Sequence, residues 1–144
     1  MAFRKKADLI LTYKPDILWF GKNKNKGLAI FSYSNFRFKV LDNYNQDLQM
    51  IIPIAVTDGQ IDFNLFAIWA NNATDKDGQY IEQIWKAIHH YSNLLTDTKT
   101  ILVSDFNSNT KWDRKHRESN HSNVVKLLEE RGIFSTYHLH YKLT

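Results

Sequence analysis

A chain of 144 residues is long enough for one domain with a real core. With 43% apolar and 14% aromatic residues it reads as globular, and the absence of cysteine excludes a disulfide scaffold and any thiolate-bound metal. No apolar run approaches the roughly 18 residues a membrane span requires, and the Met-Ala-Phe-Arg-Lys-Lys start has no signal-peptide apolar region. A cytoplasmic protein without a membrane partner is therefore expected. The net charge of +4 is unevenly spread. Residues 1–40 hold nine Lys/Arg against two Asp, while the remainder is net acidic. A basic N-terminal third suits a polyanionic partner such as nucleic acid, although a solvated, soluble surface is the better explanation of any single lysine.

Phe3, Ala7, Ile10 and Leu11 fall on one helical face, so an amphipathic helix is expected over residues 2–13, ending before Pro15. Strand-like runs follow at Asp16–Phe20, Gly27–Tyr33, Phe36–Leu41, Met50–Val56 and Ile61–Ala70. Residues 21–27 form a basic turn. Thr57-Asp58-Gly59-Gln60 carries the Asp-Gly signal of a tight hairpin between antiparallel neighbours. The period then changes. Ile81, Ile84, Trp85, Ile88 and Tyr91 recur at helical spacing over roughly residues 78–95. A strand at Thr100–Val103 and a polar loop at 108–120 come next. Val124, Val125, Leu127 and Leu128 mark a helix whose C-cap is Gly132, and Tyr137–Tyr141 reads as a last strand. The order of elements, with no internal repeat, describes one domain of class α/β (α+β) with a mixed, largely antiparallel sheet, in which Gly27–Tyr33, Met50–Val56, Ile61–Ala70 and Thr100–Val103 are expected together and Ile61–Ala70 beside Thr100–Val103.

The segment richest in chemistry is Ser104-Asp105-Phe106-Asn107 after the apolar run Ile101-Leu102-Val103. Residues i and i+2 of a strand share a face, so Asp105 and Asn107 converge at a strand's carboxyl end, where α/β sheets usually bind ligands. Such a pair offers hard oxygens for Mg²⁺ and an amide N–H for a phosphate oxygen. An Asx-rich turn closing a core strand is the plainer alternative.

Four stretches in order resemble the endonuclease/exonuclease/phosphatase superfamily, the deoxyribonuclease-I-like fold. Lys14-Pro15-Asp16-Ile17-Leu18 looks like its opening helix-to-strand junction, and Lys26-Gly27-Leu28-Ala29-Ile30-Phe31-Ser32 like its next strand. Asn64 to Asn72 resembles the strand and loop that carry a Tyr or His and an Asn, and residues 101–107 resemble its Gly-Asp-Phe-Asn strand. The resemblance implies a two-sheet α/β sandwich that cleaves phosphodiester or phosphomonoester bonds with Mg²⁺ or Mn²⁺. It implies that Asp105 holds metal and orients or deprotonates the attacking water, and that Asn107 holds the phosphate. It also places Asn72 and Trp69 at the substrate phosphate, Trp69 standing where Tyr or His is usual; an indole donates one hydrogen bond and does not titrate.

The chain departs from that pattern at both catalytic flanks. The family's main metal ligand is a Glu shortly after the opening Asp-Ile strand, but the first glutamate here is Glu82, in a helix. The family's first strand, ending in Asn, is missing. The family's closing Ser-Asp-His triplet is absent too; Ser119-Asn120-His121 resembles it but sits where an N-cap is needed. Ser104 replaces the usual Gly. His89 and His90 diverge on their helix, and His138 and His140 share a strand face without a third ligand for zinc.

The resemblance therefore implies an incomplete domain over residues 1–144, a Mg²⁺-dependent nuclease-like hydrolase weak or inactive as this chain. The alternative is a non-catalytic remnant that binds nucleic acid or a partner chain. A homodimer or a complementing chain would cover the apolar sheet face a shortened fold leaves open.

Overall fold

The structure, a computed structural model, describes residues 16–48, 50–71 and 80–143. The helix expected over 2–13 lies outside the described residues, as does Asn72. Strands β1 (Asp16–Asn23) and β2 (Lys26–Ser32) form an antiparallel hairpin turning at Lys24 and Asn25. Strands β3 (Arg37–Val40), β4 (Ile51–Thr57), β5 (Asp62–Trp69) and β6 (Thr100–Asp105) make a four-stranded sheet in that order. Its pairs are antiparallel except β5 with β6, which run parallel. Helices α1 (Ile81–His90) and α2 (Ser92–Asp97) lie between those two strands in sequence, as a parallel pair requires. Helices α3 (His121–Glu129) and α4 (Thr136–Tyr141) complete the order. The class is α+β.

Alternation along the strands builds two cores, one on each face of the sheet. Ile51, Phe66, Ile68 and Leu102 face the helices and pack with Ile84, Ile88, Tyr91, Val124 and Leu128. Ile52, Ile54, Val56 and Ala67 face the opposite way and are covered by Leu18, Phe20, Leu28 and Ile30 of the hairpin. This explains why β2 does not join the β4–β5–β6 sheet, as the sequence reading expected of Gly27–Tyr33. Its apolar side chains point face-on at the sheet, so the hairpin lies over it as a separate layer. Asp16 pins the start of that layer, its Oδ2 accepting the Phe38 N–H at 2.5 Å.

The Asp-Gly turn forms as expected. Thr57 pairs with Asp62, Gly59 takes φ +90°, and Asp58 Oδ1 accepts the N–H groups of Gln60 and Ile61 at 2.9 and 2.8 Å. Pro53 is buried in β4, where its absent N–H leaves no acceptor unmet, the Leu41 carbonyl taking the Tyr44 N–H at 3.0 Å instead. Its carbonyl accepts the Leu41 N–H at 3.0 Å, so the missing N–H points to the β3 side, past the end of β3 at Val40.

The helix expected over 78–95 is divided at Tyr91. That ring is 2% exposed, meets Phe66 edge-on at 5.3 Å, and its hydroxyl accepts the Asn45 N–H at 2.9 Å. Gly132 caps α3 as expected, at φ +74°, with the Ile133 N–H donating to the Leu128 carbonyl and its own N–H to the Glu129 carbonyl. Tyr137–Tyr141, expected as a strand, is instead the short helix α4. The Ser135 Oγ accepts the His138 N–H to start it, and Tyr137 stacks on Tyr141 one turn on, at 4.8 Å between ring centres. His138 and His140 accordingly lie on diverging sides of a helix, not on a shared strand face.

Apolar surface is left open on the hairpin and on β6, as it is at Phe134, Tyr137, Leu139 and Tyr141 around α4. Ile17, Trp19 and Phe31 on the outer face of the hairpin are at least half exposed, and so are Ile101 and Val103 on β6 to within a percent. Phe31, Phe36, Phe63, Leu65, Ile101 and Val103 line a shallow groove between the hairpin and the β6 margin.

Candidate functional site

The parallel register of β5 and β6 sets Trp69 opposite Asp105, and the Ala70 N–H donates to the Asp105 carbonyl at 3.0 Å. Both strands therefore deliver polar residues to one corner at their carboxyl ends. Strand β6 ends at Asp105, so Asn107 does not reach the corner by pleat alternation. It reaches it through a left-handed backbone, φ +46°, which Asn tolerates better than most residues. From there its Nδ2 donates to the Ala70 carbonyl at 2.8 Å and to Asp105 Oδ2 at 3.0 Å, while its N–H meets Asp105 Oδ1 at 3.3 Å. The Asx turn and the convergence of the two side chains are the same structure.

These bonds fix which way the carboxamide points. Turned over, Oδ1 would face two acceptors, the Ala70 carbonyl and the Asp105 carboxylate. Both Nδ2 hydrogens are thus committed inward, and what Asn107 has left to offer is an acceptor. The corner presents carboxylate and carboxamide oxygens, which suits a cation more than a bare phosphate. The amide N–H that the residue pair offered to a phosphate oxygen is engaged within the corner itself.

Lys26 extends the site in a way the sequence reading did not single out. Its ammonium lies 5.4 Å from the centre of the Trp69 ring, a cation–π distance that brings a positive charge from the hairpin to the residue paired with Asp105. Ser104 is exposed on β6.

A second addition comes from the polar loop. Ser108 follows Asn107, and its hydroxyl is 2.9 Å from His121 Nδ1. Ser119-Asn120-His121 does start a helix as expected, with Asn120 Oδ1 accepting the Asn123 N–H at 2.9 Å. The same turn also aims the imidazole back toward the motif, which the triplet could have signalled. Asp113 supports that helix start. Its Oδ1 accepts the His121 N–H at 2.7 Å, and its Oδ2 accepts the Ser122 N–H at 3.1 Å and the Ser122 hydroxyl at 2.5 Å. Desolvation pushes its carboxyl up, but the Ser122 and His121 hydrogen bonds and the nearby imidazole outweigh it and hold the pKa below the usual value. Asp113 is thus occupied as a cap.

Glu82 is buried on α1 and its Oε1 meets an Arg117 nitrogen at 2.5 Å, in a cleft with Trp85 and His116. Among the described residues, no three His, Cys, Asp or Glu side chains gather as a set that could hold a metal ion. No helix among them is long and apolar enough to cross a membrane. Comparison with protein-family models, with curated proteins and with solved structures finds no match.

Proposed function

We propose that this chain takes a deoxyribonuclease-I-like fold of the endonuclease/exonuclease/phosphatase type and descends from Mg²⁺-dependent phosphodiester hydrolases. As the 144-residue chain it binds phosphodiesters and cuts them no faster than background. The observation that carries this reading is the Asn107 side chain tied to both Ala70 and Asp105 at the ends of two parallel strands. It gives the motif resemblance a single oxygen-rich corner beside Trp69 and Lys26.

The donor set fits a divalent cation that arrives with its phosphate. Mg²⁺ is commonly bound by one or two carboxylates plus substrate oxygens and water, and Asp105 with Asn107 Oδ1 supplies the protein's share. When bound, Mg²⁺ or Mn²⁺ would neutralise phosphate charge and polarise the P–O bond. Asp105 would orient water, and Lys26 over Trp69 would attract the phosphate backbone or a stacked base. Turnover near neutral pH further needs a positioned acid–base group. His121 is the imidazole tied to the motif, but its Nδ1 is engaged by Ser108, one residue beyond the corner.

The test pairs binding with cleavage. Fluorescence anisotropy of a labelled single-stranded DNA should show Mg²⁺-dependent binding that Asp105→Ala and Asn107→Ala abolish. Supercoiled plasmid should stay intact above background with Mg²⁺ or Mn²⁺. Binding indifferent to metal and to Asp105→Ala would favour the second reading, a non-catalytic nucleic-acid-binding remnant using exposed Lys24, Lys26 and Lys39. Metal-dependent cutting lost in Asp105→Ala would overturn the inactive assignment instead.

A further inference from the structure

Strand β6 has the sequence of an interior strand and the position of an edge. Ile101-Leu102-Val103 is the kind of continuous apolar run that parallel strands show when both faces of their sheet are covered. Among the described residues β6 pairs with β5 alone, and Ile101 and Val103 are 49% and 58% exposed. Natural edges are normally blunted by proline, a bulge or a charge in mid-strand, and none interrupts this run.

We propose that β6 pairs antiparallel with β6 of a second copy of this chain, joining two four-stranded sheets into one across a two-fold axis at Leu102. The register follows from two independent features. The Lys99 and Asp105 carbonyls both accept from β5, at 2.8 Å from the Asn64 N–H and 3.0 Å from the Ala70 N–H. Alternation then turns the main-chain groups of Thr100, Leu102 and Ser104 outward, so only these can form hydrogen-bonded pairs with the second copy. That parity admits registers centred on Ile101, Leu102 or Val103. Charge selects among them. Centring on Ile101 sets Lys99 against Val103, and centring on Val103 sets Asp105 against Ile101. Centring on Leu102 sets Lys99 against Asp105 at both ends and Ile101 against Val103 in both halves.

Ile101, Val103 and Asp105 share one face of β6, Lys99 continues their spacing one residue before it, and all four are exposed. The strand is self-complementary there: cation, two β-branched apolar residues, anion. In the non-hydrogen-bonded pairs Ile101 and Val103 approach closely, the arrangement in which β-branched side chains contribute most. Thr100 would exchange its main-chain bonds with Ser104 of the second copy. The pairing also brings Lys99 of the second copy to Asp105, so each corner would receive a cation from the other chain. The inference is argued from the sheet edge and not from the phosphodiester reading, with which it shares Asp105.

Sedimentation velocity on the full chain is the first measurement, with a concentration-dependent dimer expected. Lys99→Glu and Asp105→Lys each replace two attractive pairs by two repulsive ones, and each should weaken the dimer about 25-fold, from roughly fivefold per pair. Mixing the two variants restores both pairs, so a heterodimer of near wild-type affinity is expected. Because the chain has no cysteine, Ile101→Cys mixed with Val103→Cys gives a second reading under oxidation. A crosslinked dimer should form in the mixture far faster than in either variant alone, since directly opposed residues meet disulfide geometry. A monomer at about 200 μM, where even weak specific association would register, overturns the proposal. So does a dimer that neither charge reversal weakens, or one that mixing fails to rescue. A monomer with β6 amides protected from hydrogen exchange would show instead that another segment covers the edge.

Discussion

Replacing Asn107 tests whether the corner is built before any ligand arrives. Three substitutions separate the effects that converge there. Asn107→Gly keeps the left-handed backbone at φ +46° but removes the bonds to the Ala70 carbonyl and to Asp105. Ala70 is fully buried, so its carbonyl loses a partner it cannot replace easily, at about 1 kcal/mol; the exposed bond to Asp105 adds about 0.5 kcal/mol. Asn107→Ala loses the same bonds and must also hold a Cβ-bearing residue in the left-handed region, about 1 kcal/mol more. Asn107→Asp is nearly isosteric and the worst of the three at neutral pH. An oxygen would replace Nδ2, 3.0 Å from Asp105 Oδ2, and two carboxylates that close do not both ionise freely.

Urea melts supply the readout. With a slope of about 2 kcal/mol/M, midpoints should fall by about 0.8 M for the glycine variant and about 1.2 M for the alanine variant. The aspartate variant should fall furthest near pH 7 and recover on acidification. The sign follows from linkage: the coupled pair has a raised folded pKa, so its stabilising, singly protonated form is lost as pH rises through that value. Glycine and alanine variants within about 0.3 kcal/mol of each other would refute the backbone argument. All three melting like the parent chain would refute the corner itself.

Three further outcomes follow from the packing. Gly27→Ala should cost about 2 kcal/mol in a thermal or urea melt, because an added Cβ would lie 2.4 Å from the Phe20 carbonyl and 2.6 Å from the Trp19 ring. Tyr91→Phe should lose about 1 kcal/mol, since it leaves the Asn45 N–H without its acceptor; an unchanged melting point would mean that water takes over. Asp113→Asn should flatten the acid limb of stability: with its pKa held low in the fold, Asp113 stabilises above its unfolded value and loses that contribution as pH falls through the folded one, measurable as Tm between about pH 2 and 5.

Local chemistry was legible in the sequence wherever the signal was short-range. Asp58-Gly59 specified its turn, Gly132 its cap, and the 3.6-residue spacing of Ile81, Ile84 and Ile88 its helix. The neighbour of Ile61–Ala70 was also read correctly, since Thr100–Val103 lies beside it. What the sequence concealed was set by packing between layers. Nothing in Leu28 and Ile30 says whether a strand extends a sheet or lies across it. Tyr137–Tyr141 reads as a strand until Ser135 is seen to cap a helix. At the site, Asp105 and Asn107 were found together, but by an Asx turn with a left-handed residue instead of a shared strand face. Lys26 reaches Trp69 only because the hairpin folds over the sheet, a long-range contact no motif spacing encodes.

The placement of β4 between two cores has a cost in fidelity. A strand with one wet face resists slipping by a residue, since the slip would bury polar side chains. Strand β4 has little such protection, because Ile51, Pro53 and Ala55 and the alternate set Ile52, Ile54 and Val56 are both apolar. A shifted β4 would satisfy both layers almost as well as the native one. What rejects the shift is local: the Asp58–Gly59 turn sets the phase from one end, and Pro53 tolerates only a position beyond the last residue of β3. Variants that loosen that turn, or that move the proline, should therefore populate slow-refolding, misphased species before they show any large loss of equilibrium stability.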